Sequence, residues 1–555
     1  MRFGYSAKNL TPQERRTQRF FEILPGAVSW TILAGLFSMS LFSPVAAAIF
    51  VIAFLMYWIY RLLYMTVILL LSYFRLEAEK QTDWVSRIQK ADELHHESNE
   101  RDSAPKGVSL KDRLSHWIFK KEMTRCVRAG SLGPASKDLI HLVVVPIVGE
   151  TREITEPGIK SLTKGTFPSR QMILVLALEE RSPGRVKEDA ENLRQAYSDE
   201  FRNILIFIHP AGISGEACVK GANTTYAAKE AKSYLDKHAI PYEHVIISCF
   251  DADTVVPPDY FACLTYQYLV EPKRERASFQ PIPVFNNNIW ETHGFTRVLE
   301  MGASFFQLIE ATNPEKLVTF SSHSMSFKAL VEIDYWPVDM ISDDSAIFWK
   351  AFIHFDGDYR AVPLYVTLSM DVVDAGNWWK TAVSVYRQRR RWAWGVENFP
   401  ILMRAFLKNK NISFYDKWRH AIKMFEGHVS WATWAIILTL IGWLPALYAG
   451  REFSETVLYY SAPRIAQLIF RLSTVVLVIT IALSLLMLPK KRVKFPFLRR
   501  CLYAGQWLLL PWIFVFLSAL PALDAQTRLM FGKYMEFQVT DKSRKKSIIR
   551  DPRIA

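Results

Sequence analysis

Cysteine is scarce in this chain: five among 555 residues, at Cys126, Cys218, Cys249, Cys263 and Cys501, with no C-x-x-C pair and no zinc-ligand spacing. That excludes a disulfide scaffold and a thiolate metal centre, and the thiols read as ordinary buried side chains of a reducing compartment. There is no G-x-x-x-x-G-K-[ST] phosphate loop, no G-x-S-x-G nucleophile elbow and no internal repeat. Acidic residues are in deficit, 54 against 68 Lys and Arg, which leaves a net charge of +14. The excess sits beside apolar runs, at Arg15, Arg16 and Arg19, in "PKKRVKFPFLRR" and in "KSRKKSIIR". Such flanks are cytoplasmic by the positive-inside rule. No basic face joins a nucleic-acid module, so nucleic acid is not expected as a partner.

Long apolar stretches are what the chain does have. Residues 27–74 exceed the roughly 20 residues one membrane helix needs, and Ser43 with Pro44 marks a turn, so two spans fit. Further apolar segments begin at Val429, Leu472 and Leu502. The third holds Gly505, Gln506 and Pro511, and a clean crossing there would carry the basic tail outside, so it is expected to bend back or lie at the interface.

Between these regions the pattern changes. After a charged stretch, four strand-length apolar runs alternate with helical segments: "HLVVVPIVGE", "QMILVLALEE", "NILIFIHPAG" and "HVIISCFDAD". Alternation of this kind predicts a parallel α/β sheet, in which ligands bind beyond the carboxyl ends of the strands. Acidic residues gather there: Glu150, then Glu179 and Glu180, then Asp251 and Asp253. Residues two apart on a strand share a face, so the last pair is expected to point together and to favour a hard divalent cation; the plainer alternative is an Asx turn. Asp343 and Asp344 precede a helix-like segment, where they suit either an N-terminal cap or a general base. Gln388, Arg391 and Trp392 form Q-x-x-R-W in "QRRRW".

Taken in order, "PIVGE", "VKGAN", "DAD", "SDD" and "QRRRW" resemble the membrane-embedded processive glycosyltransferases of family 2, the group of cellulose, chitin and hyaluronan synthases, and "FQVTDK" is similar to the gating-loop signature F-x-V-T-x-K of cellulose synthase. The resemblance implies a GT-A-type α/β catalytic domain inserted between transmembrane helices. It implies Asp344 as the base, with Asp343 as its understudy, and inversion at the anomeric carbon. Asp253 and Asp251 would hold Mg²⁺ or Mn²⁺. Asp251, Glu179, Glu180, Lys220, Gln388, Arg391, Thr540 and Lys542 would contact the donor, and Trp392, Ser322, His323 and Ser324 the acceptor. Two departures stand out: "ALEERSP" where the family has Asp after the second strand, and "SSHS" where cellulose synthases have Cys-Gly-Ser.

The resulting expectation is a cytoplasmic tail (1–26), two membrane helices (27–74), a charged linker (75–137), the transferase domain (138–395), interfacial helices (396–428), a membrane region (429–523) and a gating segment with basic tail (524–555). Its function would be metal-assisted elongation of a polysaccharide from a nucleotide sugar, a UDP-sugar first, coupled to export at the cell membrane. The partners implied are the donor, a growing glycan or lipid-linked acceptor, membrane lipids and room for an export or regulatory subunit. Alternatives are single transfer to a polyprenyl phosphate and a non-catalytic nucleotide-sugar-binding subunit.

Overall fold

The four apolar runs form four strands, β1 (Ile140–Ile147), β2 (Met172–Glu179), β3 (Asn203–His209) and β4 (Val245–Cys249), all parallel to one another. In this computed structural model, residues 10–93, 109–131, 133–448, 457–489 and 505–535 are described, without the side chains of 457–466, 469 and 470. β1, β2 and β4 are buried at nearly every position. One face packs on Phe261 and Tyr266; the other packs on Ala227 and Ala231 of the helix Lys220–Lys237 and on Phe348 of the helix Asp343–His354. Cover on both faces is why these strands read as unbroken Val, Ile and Leu rather than alternating.

The sheet continues where the hydrophobic pattern gives no warning. β5 (Ala277–Phe285), β6 (Ser324–Ser326) and β7 (Arg360–Met370) complete seven strands in the order β3-β2-β1-β4-β6-β5-β7. β6 runs antiparallel to β4 and β5, whereas β7 runs parallel to β5. The β5–β7 register shifts between Gln280 and Ile282, around Pro281, which has no N–H to donate.

At Ser43 the chain turns between the helices Pro12–Phe42 and Pro44–Glu79. The first starts well before the apolar run, because Thr11 and Glu14 form a reciprocal capping box that satisfies its opening N–H groups. By length and composition, three helices are apolar enough to cross a membrane: these two and Gln506–Met530. Phe414–Thr439 and Ile441–Tyr448 make a fourth as a pair bent by 46°. Thus the apolar segment that begins at Val429 is broken at Leu440. The Leu472 segment lies in the helix Val457–Met487.

Gln506–Met530 changes pitch along its length, from a 3₁₀ turn through α and π segments back to α. It is tied to the α/β part near both ends. Gln506 accepts a hydrogen bond from Arg297 (2.9 Å), and Asp524 accepts one from Arg390 (2.9 Å). Near its end it also meets the first helix: Ser29 donates to Gln526 Oε1 at 2.7 Å, and Arg19 donates to the Leu529 carbonyl at 2.8 Å. Of the described cysteines, Cys126, Cys249 and Cys263 are buried as expected; Cys218 is exposed, in the loop before Lys220.

Candidate active site

Segments far apart in sequence meet beyond the carboxyl end of β4. Extended geometry stops at Cys249, and the chain turns at once, with the Thr254 N–H donating to the Asp251 carbonyl at 2.9 Å. Strand alternation therefore does not govern Asp251 and Asp253, which take different hydrogen-bond partners. Asp251, 27% exposed at its side chain, accepts from Lys220 Nζ at 2.7 Å and from Ser321 Oγ at 2.6 Å. Asp253, 1% exposed, accepts at Oδ2 from the backbone N–H of Asp371 at 2.8 Å.

Lys220 is the hub. It opens the helix Lys220–Lys237, and its Nζ also lies 2.8 Å from Asp344 Oδ1. Burial opposes its charge, but the carboxylates of Asp251 and Asp344 outweigh that and hold the ammonium well above the ordinary lysine range. Its helix approaches so closely because residue 221 is glycine: a Cβ there would lie 2.4 Å from the Pro337 carbonyl oxygen and 3.0 Å from Asp343 Cβ.

Asp343 and Asp344 open the helix Asp343–His354 and divide the work of that position. Asp344 is 27% exposed at its side chain and faces Lys220. Asp343 is buried; burial first, then the negative charge of Asp344, pushes its carboxyl up to about 8. The helix start is braced by Glu397, which accepts from the Ser342 N–H (2.9 Å), the Ser342 hydroxyl (2.7 Å) and Trp394 Nε1 (2.8 Å).

The helix Trp378–Ala393 carries Gln388, Arg391 and Trp392. Gln388 is buried and its Oε1 has no hydrogen-bond partner. Arg391 lies close enough that its charge acts on Asp343. Trp392 packs at 5.5 Å from Phe285, with the Arg389 guanidinium 4.2 Å from its ring centre. Arg389 itself reaches buried Glu300 at 2.6 Å, an ion pair by distance though not at hydrogen-bond angles.

Other expected site residues take supporting positions. Ser322, His323 and Ser324 are fully buried behind the D-A-D turn and do not form an open face. Ser322, at a left-handed φ of +64°, pairs with Thr254 Oγ1 (2.9 Å); Ser324 pairs with Ser248 (2.7 Å); His323 Nδ1 lies 3.0 Å from the Phe320 carbonyl, and burial pushes its imidazole down. Glu179 and Glu180 stand at the end of β2 in local bonds, Glu179 with Arg181 and Glu180 Oε2 with the Ala211 N–H (2.8 Å). Thr540 and Lys542 lie outside the described residues. Sequence reasoning missed Ser321, Asp371 and Glu397. Asp371 follows β7, so the rule that drew attention to strand-end carboxylates would have found it had that strand been recognised.

Among the described residues no three His, Cys, Asp or Glu side chains converge at metal-ligand spacing. The oxygen donors of Asp251 and Asp253 suit Mg²⁺ or Mn²⁺, with ligand oxygens and water completing the shell.

Residues 246–519 match the family model described as glycosyl transferase family group 2. The chain is 27% identical over 235 residues to a poly-β-1,6-N-acetyl-D-glucosamine synthase of Staphylococcus epidermidis, covering 40% of this chain and 51% of that one. A synthase of the same name from Staphylococcus aureus (strain COL) is 30% identical over 210 residues, covering 36% and 45%. The chain thus spans about half the length of the curated relatives it matches. A mannosyltransferase from Pyrobaculum calidifontis, solved with GDP-Man and Mn²⁺, aligns over 76% of this chain and 98% of its own at 13% identity, with a TM-score of 0.41. The α/β part is a glycosyltransferase domain of the GT-A type. Residues 246–519 carry a glycosyl transferase family 2 domain, and the chain's homologues include proteins named as polysaccharide synthases.

Proposed function

We propose that this protein is a membrane-bound inverting glycosyltransferase that elongates a polysaccharide from a nucleotide-sugar donor. The observation that carries the reading is the meeting of Asp251 and Asp344, from two separate motifs, on one partly buried lysine at 2.7 and 2.8 Å. Asp344 is the base: its partial exposure lets an acceptor hydroxyl reach it, and Lys220 fixes its orientation. Asp343, kept protonated by burial, adds no second negative charge beside it at neutral pH. Lys220 and Arg391 offer positive charge to the departing diphosphate, Arg391 through a fork of donors. Trp392 supplies a flat apolar surface for a sugar ring. A Mg²⁺ or Mn²⁺ held by Asp253, with Asp251, would add Lewis-acid charge at the leaving group. Ser322, His323 and Ser324 serve the acceptor side by holding the wall on which the D-A-D turn rests.

The named relatives make polymers of N-acetylglucosamine, so UDP-N-acetylglucosamine is the first donor to try. The catalytic domain lies on the cytoplasmic side, where nucleotide sugars are made. Gln506–Met530 runs along that domain at the membrane surface, as its ties to Arg297 and Arg390 favour.

The test is nucleotide release by the purified protein with UDP- and GDP-sugars, in Mg²⁺, in Mn²⁺ and in chelator, followed by sizing of the product. Metal-dependent release from one donor with a long product supports the proposal. A single added sugar would replace elongation by transfer to a lipid carrier, and no release from any donor with lipid present would overturn the catalytic reading.

A further inference from the structure

A second concentration of charge lies at the other end of β7. Arg360 opens the strand that ends at Met370 beside the site, and at about 3.3 Å per residue the two ends stand roughly 30 Å apart. There a cleft of about 510 Å³ is walled by parts of the helices Pro44–Glu79, Leu110–Ala129, Asp343–His354 and Phe414–Thr439. Its charged lining is five cations, Arg75, Lys121, Arg125, Arg360 and Arg419, against three carboxylates, Glu122, Glu271 and Glu315.

Arg419 has a partner in Asp416 at 2.9 Å, but the carboxylates lining the cleft do not balance its five cations. Glu271, fully buried, is shared between Arg360 and Arg125 (2.8 Å). Glu122 stands 4.0 Å from Arg75, and Glu315, beside Arg419 at 3.1 Å, is 74% exposed at its side chain, so water screens it. Arg75, Arg360 and Arg419 each keep a buried Nε with no hydrogen-bond partner. His420, 2% exposed, accepts at Nε2 from Arg419 Nη2 (3.2 Å), which puts its own proton on Nδ1. That Nδ1 is buried and has no partner either. Buried N–H groups in folded proteins are nearly always paired, so four unpaired ones on residues lining one cleft leave its wall short of acceptors. Burial and the charge of Arg125 also hold the Arg360 guanidinium below its ordinary range, a cost that a nearby anion would relieve.

The rest of the wall narrows the chemistry. Phe348, Phe352 and Tyr359 line the cleft, and Trp117, at its edge, is 58% exposed. Phe74, Tyr415 and Trp418, neighbours in sequence of lining residues or one turn away, are exposed as well. We propose that this cleft is an anion site for a phosphate group attached to an apolar or aromatic moiety, supplied either by an anionic lipid headgroup or by a free phosphorylated compound. The site does not depend on the transferase reading. An occupant would pack on the helix that begins with Asp343 and Asp344, since Phe348 and Phe352 belong to it.

Amide hydrogen exchange on the full chain in nanodiscs tests this by location, so phosphate bound at the donor site cannot be mistaken for it. In one arm, phosphatidylcholine discs receive millimolar inorganic pyrophosphate with chelator; in the other, phosphatidylglycerol replaces phosphatidylcholine and no pyrophosphate is added. Several-fold slower exchange within 114–125 and 415–423 is expected in at least one arm. Protection in the first identifies a free phosphate compound, protection in the second a lipid headgroup. Arg419→Gln should abolish it, and so should Lys121→Glu, whose exposed side chain leaves folding untouched. No protection in either arm, or protection unchanged in Lys121→Glu, would overturn the proposal.

Discussion

Two polar regions of this domain distribute their contacts in opposite ways. Around Lys220 they converge: one ammonium serves Asp251 and Asp344, and Ser321 closes on the same Asp251. Along the helix Trp378–Ala393 they diverge: Arg389 goes to Glu300, Arg390 to Asp524 on Gln506–Met530, and Arg391 toward Asp343. Three neighbouring arginines on a helix point about 100° apart, so each meets a different element. A convergent cluster concentrates charge where a reaction could use it. A divergent one joins parts, and its loss falls on assembly before chemistry.

That contrast can be broken by substitution. Asp344→Asn should lower turnover by about 10²–10⁴-fold, the usual worth of a general base, while the melting temperature and donor binding hold. Full turnover would move the base elsewhere and dissolve the assignment. Arg389→Ala should instead cost about 3–5 kcal/mol of stability, measured by denaturation in detergent, because Glu300 would be left buried and alone. Arg390→Ala, at a partly exposed pair, should cost about 1 kcal/mol or less; equal losses from the two would refute the division of labour drawn here.

Gly221→Ala probes the convergent side from its backbone. The added methyl meets a carbonyl oxygen that must shift, so about 1–3 kcal/mol should be lost, with weaker donor binding as Lys220 is displaced. The gentlest test is pH. Burial and the charge of Asp344 push the Asp343 carboxyl from an ordinary 3.8 up to about 8, so between those values the folded state holds a proton that the unfolded state has released. Stability from this group therefore falls as pH rises from about 4 to about 8, by at most about 1.4 kcal/mol per pH unit. Asp343→Asn should flatten that slope; an unchanged slope would mean the carboxyl is not held neutral.

Legibility in the sequence followed burial and locality. β1, β2 and β4 announce themselves because both faces are covered, so nearly every position had to be apolar. β5 carries Pro281 and Pro283, and β6 is only Ser-Met-Ser, so neither bears a strand signature although their pairing is real. The D-A-D and S-D-D motifs pointed to the right segments, but not to the way their side chains aim. A turn at Ala252 and Asp253 sends Asp251 and Asp253 to different partners. The role of Lys220 rests on contacts to Asp251 and Asp344 that no local pattern encodes. Ser322 to Ser324 resembled an acceptor surface by their place in the motif order, yet all three are buried, Ser324 through the pairing of β6 with β4 and Ser322 through its bond to Thr254.

One contact also has a history in time. The hydrogen bond from Ser29 to Gln526 spans 497 residues, and at about 5–20 residues per second a ribosome needs on the order of a minute between the two. Through that interval the first helix has been made but lacks one of its neighbours. Its Ser29 face must be sheltered by lipid or by insertion machinery until almost the whole chain has been synthesised.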